Sequence, residues 1–129
     1  VPQSLLAFLA MMIATMAAFN QMSAKLGSYN EMIYSEYELM ANAVAIDQME
    51  MIDLLTDYED LETWDNALVA RSFASGTRTV TFDLAVSVHW VDDEGNLSAT
   101  ETNQKEVEIQ AMEDHFSRVM VTHSRIFSD

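Results

Sequence analysis

From Leu5 to Phe19 the chain reads LLAFLAMMIATMAAF, with Thr15 its one polar side chain, and the first charge comes only at Lys25. An apolar run without periodicity predicts a helix that is hydrophobic all round, which lipid or protein must cover. As a helix, residues 4–26 span about 35 Å, enough to cross a hydrocarbon core with some tilt. Pro2 suits the first helical turn, where its missing N–H costs nothing, and Ser4 suits a cap. The chain opens with neither a methionine nor a basic stretch, so the segment is expected to be retained in a mature product and not removed as a signal.

Within this helix Ala7, Ala10, Ala14 and Ala17 recur at spacings of three and four, with Ala24 further on. A stripe of small side chains lets helices approach closely and pack by dispersion. Alanine is also the best helix former, so propensity alone accounts for it equally well. Leu6, Leu9, Met11, Ile13, Met16 and Phe19 fill the other faces. A helix packed among copies of itself would use Leu6, Ala7, Leu9, Ala10, Ile13, Ala14 and Ala17 as its contact set. Ser23, Gly27 and Ser28 then weaken the helix, as a bend, an unwound segment or a tolerated glycine.

From Tyr29 to about Asp60 the pattern is amphipathic. Ile33, Tyr34, Tyr37, Met40, Ala41, Val44, Ala45, Met51, Ile52 and Leu55 share one face, and Glu36, Asp47, Glu50, Asp53 and Asp57 the other. Leu39, Ile46 and Met49 fall towards the acidic side, where a single chain would expose them. They are expected to form a subunit interface, with scattered surface apolar residues as the plain alternative. Taken as one rod, residues 4–60 would reach about 85 Å, more than a small domain can bury.

The period then changes to two. Residues 61–76 read as a connection with a short helical turn, packed on the core through Trp64, Leu68, Val69 and Phe73. Val80, Phe82, Leu84, Val86, Val88 and Trp90 alternate with polar or small residues along a long strand. Asp92–Asn96 is a turn; Lys105–Met112 is a second strand with Val107 and Ile109 inward. Glu113–His115 is another turn, and Arg118–Phe127 a third strand with Val119 and Val121 inward. The fold class expected is α+β: a long N-terminal helix, hydrophobic in its first half and amphipathic in its second, packed on a three-stranded antiparallel meander. Two parts are expected, a membrane or filament-core helix over residues 1–28 and a small α+β domain over residues 29–129.

Composition narrows the function. The chain has 129 residues, no cysteine and a formal charge of -15 with six basic residues. That charge argues against nucleic acid, whose phosphates need clustered Lys and Arg. Without cysteine there is neither a disulfide framework nor a thiolate metal site. Between Leu26 and Asp65 stand eleven acids and no base, so their repulsion must be relieved by salt, cations or a neighbour's basic residues. The acid runs Asp57–Glu62 and Asp92–Glu94 do not match a spaced calcium loop and read as solvated surface. His89, His115 and His123 are too scattered for a helix-borne zinc motif. No nucleophile elbow, phosphate loop or dinucleotide fingerprint is present, so neither an enzyme nor a cofactor is expected.

An uncharged N-terminal helix, a longer amphipathic continuation and a small antiparallel sheet together resemble the type IV pilins and the pseudopilins of type II secretion. The likeness rests on Val1–Leu26, with a weaker echo in FDLAVSVHWVDDEG and KEVEIQAM. The resemblance implies a subunit whose basic leader is cut by a prepilin peptidase, making Val1 the processed N-terminus and a methylation site. It implies an inner-membrane pool held by the first helix, then assembly by pilus machinery into an extracellular filament in which the chain's partner is itself. The family usually has phenylalanine first, glutamate at the fifth position and a helix-weakening proline, where this chain has Val1, Leu5 and only Gly27. Without that glutamate the terminal amine needs a carbonyl, or a polar side chain such as Gln3 or Ser4, or must become neutral. The alternative expectation is a minor pseudopilin, or a single-span membrane-anchored domain that binds a partner.

Overall fold

The computed structural model describes residues 2–129; the position of Val1 as a processed N-terminus lies outside them. Helix α1 runs Pro2–Leu55, a 3-10 helix follows at Tyr58–Trp64, and four strands complete the chain: β1 Ala67–Ser75, β2 Arg78–Trp90, β3 Gln104–Glu113 and β4 Phe116–Ser128. The fold is α+β, a long N-terminal helix packed on an antiparallel sheet of order β1-β2-β3-β4. The chain forms two compact units, Val1–Tyr37 and Glu38–Asp129. α1 passes through Gly27 without a break, and no other group stands within 4 Å of where a Cβ would lie there. Of the three expectations for this position, a tolerated glycine within a continuous helix is the one the structure has.

In the second unit α1 buries Met40, Ala41, Val44, Ala45, Gln48, Met49 and Ile52. These positions advance mostly in steps of four, each about 40° beyond a full turn, so the stripe winds around the helix axis. The winding accounts for the first correction. Met49, expected at a subunit interface, is only 3% exposed and belongs to the core, while Leu39 and Ile46 are 70% and 48% exposed. It also carries the stripe away from Leu55, which is exposed at the helix end and not on the buried face.

The inner sheet face is built by alternation. Val80, Phe82, Leu84, Val86 and Val88 of β2, with Val107, Ile109 and Ala111 of β3, are buried as their period of two requires. The sheet has four strands where three were expected. Ala67–Ser75 is a strand whose pattern is obscured because Arg71 takes an inward position and alanines take outward ones. Leu68 therefore faces outward and is exposed, contrary to the core position expected of it, while Val69 and Phe73 are half-buried at the sheet edge. Gly76, with φ of +63°, opens the two-residue turn between β1 and β2, a place that favours glycine.

β4 supplies another correction. Register shifts at Ala111/Met112 and Met112/Glu113 insert extra residues into β4, so Val119 pairs with Met112 on the outer face while Met120 and Val121 are buried. A bulge reverses the alternation, which strict period-two reading cannot anticipate. In the turn between β3 and β4, His115 Nδ1 lies 2.6 Å from buried Glu113, whose other oxygen accepts the His115 backbone N–H at 2.7 Å.

Two measurements follow. Met49→Ala should cost about 2–5 kcal/mol in denaturant unfolding of the full chain, whereas Leu39→Ala should stay within about 0.5 kcal/mol; equal effects would contradict the burial pattern. The hydrogen bond to Glu113, and then its charge, raise the His115 pKa above the ordinary histidine value. The stabilisation is therefore complete below the unfolded pKa and is lost as pH rises through the higher folded one. Unfolding followed by pH should show that loss in the native chain and not in His115→Ala.

Candidate functional site

The surface with no cover of its own is the first stretch of α1. Every described side chain from Gln3 to Met32 is exposed. They include Leu5, Leu6, Phe8, Leu9, Met11, Met12, Ile13, Met16 and Phe19, most of them more than half exposed. Of the expected filament-core positions, Leu6, Leu9 and Ile13 are 64%, 45% and 68% exposed, and Ala7, Ala10, Ala14 and Ala17 are likewise exposed on the same unbroken helix. Thr15, the one polar side chain of the run, donates its hydroxyl proton to the Met11 carbonyl at 2.8 Å. The helix thus satisfies its own hydroxyl, as an apolar environment demands. Its most apolar window has a mean hydropathy of 1.7, and the helix is long and apolar enough to cross a membrane.

The second unit answers the acidic run in a way the sequence did not reveal. Arg71 of β1 donates to the Gln48 side-chain oxygen at 3.0 Å and pairs with Asp47. On the opposite edge of the sheet, Arg125 of β4 pairs with Glu50 at 2.6 Å and Asp53 at 3.3 Å. On the same strand as Arg125, His123 Nε2 lies 2.8 Å from Asn42 Oδ1, so the imidazole donates. Salt, cations or a neighbour's bases were expected to relieve this charge; for Asp47, Glu50 and Asp53 the chain's own sheet does so instead. No signal local to the helix could show this, since Arg71 and Arg125 lie more than twenty and seventy residues away in sequence.

A further cation ties the 3-10 helix down. Lys105, inward on β3 and 4% exposed, donates to the Tyr58 carbonyl at 2.9 Å, stands 3.6 Å from Glu62 and lies 4.3 Å from the Tyr58 ring centre. Asp65 accepts the Val88 backbone N–H at 2.9 Å, satisfying β2 beyond the end of β1. An open cavity of about 290 Å³ lies beside these groups, lined by Glu62, Asp65, Val88, His89, Trp90 and Lys105. His89 also faces Glu106 across strands at 3.3 Å. Glu62, Asp65, His89 and Lys105 each have a partner within the chain, whereas the buried Trp90 indole N–H has none among the described residues. Among the described residues, no group of three or more His, Cys, Asp or Glu side chains is placed to hold a metal ion.

No family model matches the chain, and no curated protein or solved structure is detectably similar to it. The functional reading therefore rests on the residues themselves.

Gln48 offers a test of the helix–sheet contact. It is 1% exposed, its oxygen is bound by Arg71, and its amide nitrogen has no partner. Arg71→Met should destabilise the chain by about 1–3 kcal/mol by orphaning that oxygen, and Gln48→Met in the same chain should recover most of the loss. Additive losses would show that the two side chains do not act as a pair.

Proposed function

We propose that the chain is a structural subunit of an extracellular type IV pilus-like helical filament, assembled through its N-terminal hydrophobic helices. The observation that carries this reading is the exposure, without any charge before Lys25, of every described side chain from Gln3 to Ala24. A soluble monomer rarely exposes an apolar patch of more than a few hundred Å². Lipid can cover such a helix, and the inner membrane does so before assembly on this reading. A lone anchor does not need Ala7, Ala10, Ala14 and Ala17 at three- and four-residue spacing beyond their helix propensity, whereas a bundle of identical helices uses them for close approach. Leu39 and Ile46 stand seven residues apart on the helix surface and serve as a further subunit contact.

The resemblance to type IV pilins supplies the accompanying machinery: prepilin peptidase, an inner-membrane pool and an assembly apparatus. Leu5, 61% exposed, replaces the glutamate that usually meets a neighbour's amine. Docking here accordingly relies on packing more than on charge. The second reading is a minor pseudopilin or a membrane-anchored binding domain, favoured by the capacity of α1 to cross a membrane unaided.

Deleting residues 1–24 should yield a soluble monomer at micromolar concentration, measured by sedimentation. Filaments of normal form from the truncated chain would overturn the proposal. Shearing cells and finding abundant fibres of this chain favours the filament; their absence, with the chain still in the membrane, favours the anchored domain.

A further inference from the structure

Six asparagines stand in the chain, and only Asn96 is followed two places on by a hydroxyl residue, in the order Asn96, Leu97, Ser98. Asparagine, any residue but proline, then serine or threonine is the acceptor pattern for N-linked glycans in exported proteins. So short a pattern also arises by chance. The place of Asn96 in the fold decides its weight.

Asn96 closes the exposed loop that leaves β2. Asp92 Oδ1 accepts the backbone N–H groups of Glu94 and Asn96, each at 2.9 Å, and Gly95 supplies a positive φ of +83°. The Asp92 N–H donates to the Asn96 carbonyl at 2.9 Å, and Leu97 pairs with Val91 at the base of the loop. The loop therefore uses only the backbone of Asn96. The residue is exposed and, among the described residues, its side-chain amide meets no partner. Turns often take asparagine for its side-chain hydrogen bond or its tolerance of a left-handed backbone. Here Asp92 makes the side-chain bonds and Gly95 takes the left-handed place, so neither reason applies to Asn96. Asn42, by contrast, holds His123, and Asn66 has a positive φ of +62°. The asparagine that carries the pattern is thus exposed on a loop with its amide nitrogen free.

We propose that Asn96 is an N-glycan acceptor. The donor class is a glycan carried on a membrane lipid through a phosphate or diphosphate, and the reaction is a displacement that consumes no oxidant or reductant. Asn96 Nδ2 attacks the anomeric carbon, and the C–N bond forms as the bond from that carbon to the phosphate oxygen breaks. The phosphate leaves with the bonding pair, and the nitrogen gives up one proton to a base of the transferase. Ser98 is the recognition hydroxyl. In the fold it donates to the Thr100 carbonyl at 2.8 Å, an exposed local bond that a transferase can displace. α1, long and apolar enough to cross a membrane, tethers the second unit to the bilayer in which such a donor resides. That tether belongs to both readings above, so the site stands independently of the filament. A glycan here adds bulky hydrophilic surface beside Leu97, which the fold leaves 74% exposed.

Mass spectrometry of the full chain, isolated from the cells that make it, reads the site directly. Its tryptic peptide Thr79–Lys105 should be heavier by whole sugar units, with fragmentation placing them on Asn96 and not on Asn103. In full-length variants made in the same cells, Asn96→Gln and Ser98→Ala should lose the added mass completely, and Ser98→Thr should keep it. An unmodified peptide from the native chain would overturn the proposal, as would sugar that survives Asn96→Gln or Ser98→Ala. Fibres built from an unmodified chain would remove the acceptor site and leave the filament standing. A modified chain in the membranes of cells that make no fibres would instead uphold the site and remove the filament.

Discussion

The stripe from Met40 to Ile52 and the inner face of β2 and β3 must satisfy two periods at once, because the helix repeats about every 3.6 residues and the strands every two. Most of the rest of the second unit depends on that contact. Met40, Val44, Met49 and Ile52 on the helix and Phe82, Leu84, Val107 and Ile109 on the sheet are buried together. Each such side chain contributes about 1.5–3 kcal/mol when fully buried, against about 0–1 kcal/mol for an exposed ion pair. Apolar packing therefore sets where the helix lies, and the arginines adapt to it.

That order of magnitudes explains the polar contacts. Arg71 and Arg125 sit on opposite edge strands, where long side chains can reach acids flanking the stripe without entering the core. Gln48 is the exception, a buried amide that Arg71 satisfies on one side only. The helix thus carries its acids without requiring another molecule to neutralise each of them. Lys105 plays a similar part for the 3-10 helix, its ammonium held by a carbonyl, an aromatic face and Glu62.

The first unit follows the opposite rule. From Leu5 to Phe19 its side chains are exposed and, but for Thr15, apolar, and Thr15 turns its hydroxyl onto its own backbone. A surface of this kind is stable only in lipid or among similar helices. The reading as a filament subunit supplies both environments in succession. On the proposed reading, docking without a glutamate at Leu5 would have less orientation by charge, leaving more to small-residue packing.

Several features were legible in the sequence because they are local. The charge-free run from Leu5 to Phe19, the alternation from Val80 to Trp90 and the turn at Asp92–Asn96 each carry their own period or turn chemistry, and the structure has a helix, a strand and an Asx-bonded turn there. The exposed helix that serves as the candidate site was legible for the same reason. β1 was not: with Arg71 inward and Leu68 outward, its own residues argue against a strand, and only pairing with β2 makes it one. Met49 turned inward because the buried stripe winds with the surface beneath it, and Val119 turned outward because a bulge reversed the alternation. Those outcomes depend on residues distant along the chain. Hydrophobic period and charge determined the helix, the central strands and the apolar surface; the fourth strand, the limits of the buried stripe and the arginine pairs were decided only when distant segments had to fill the same space.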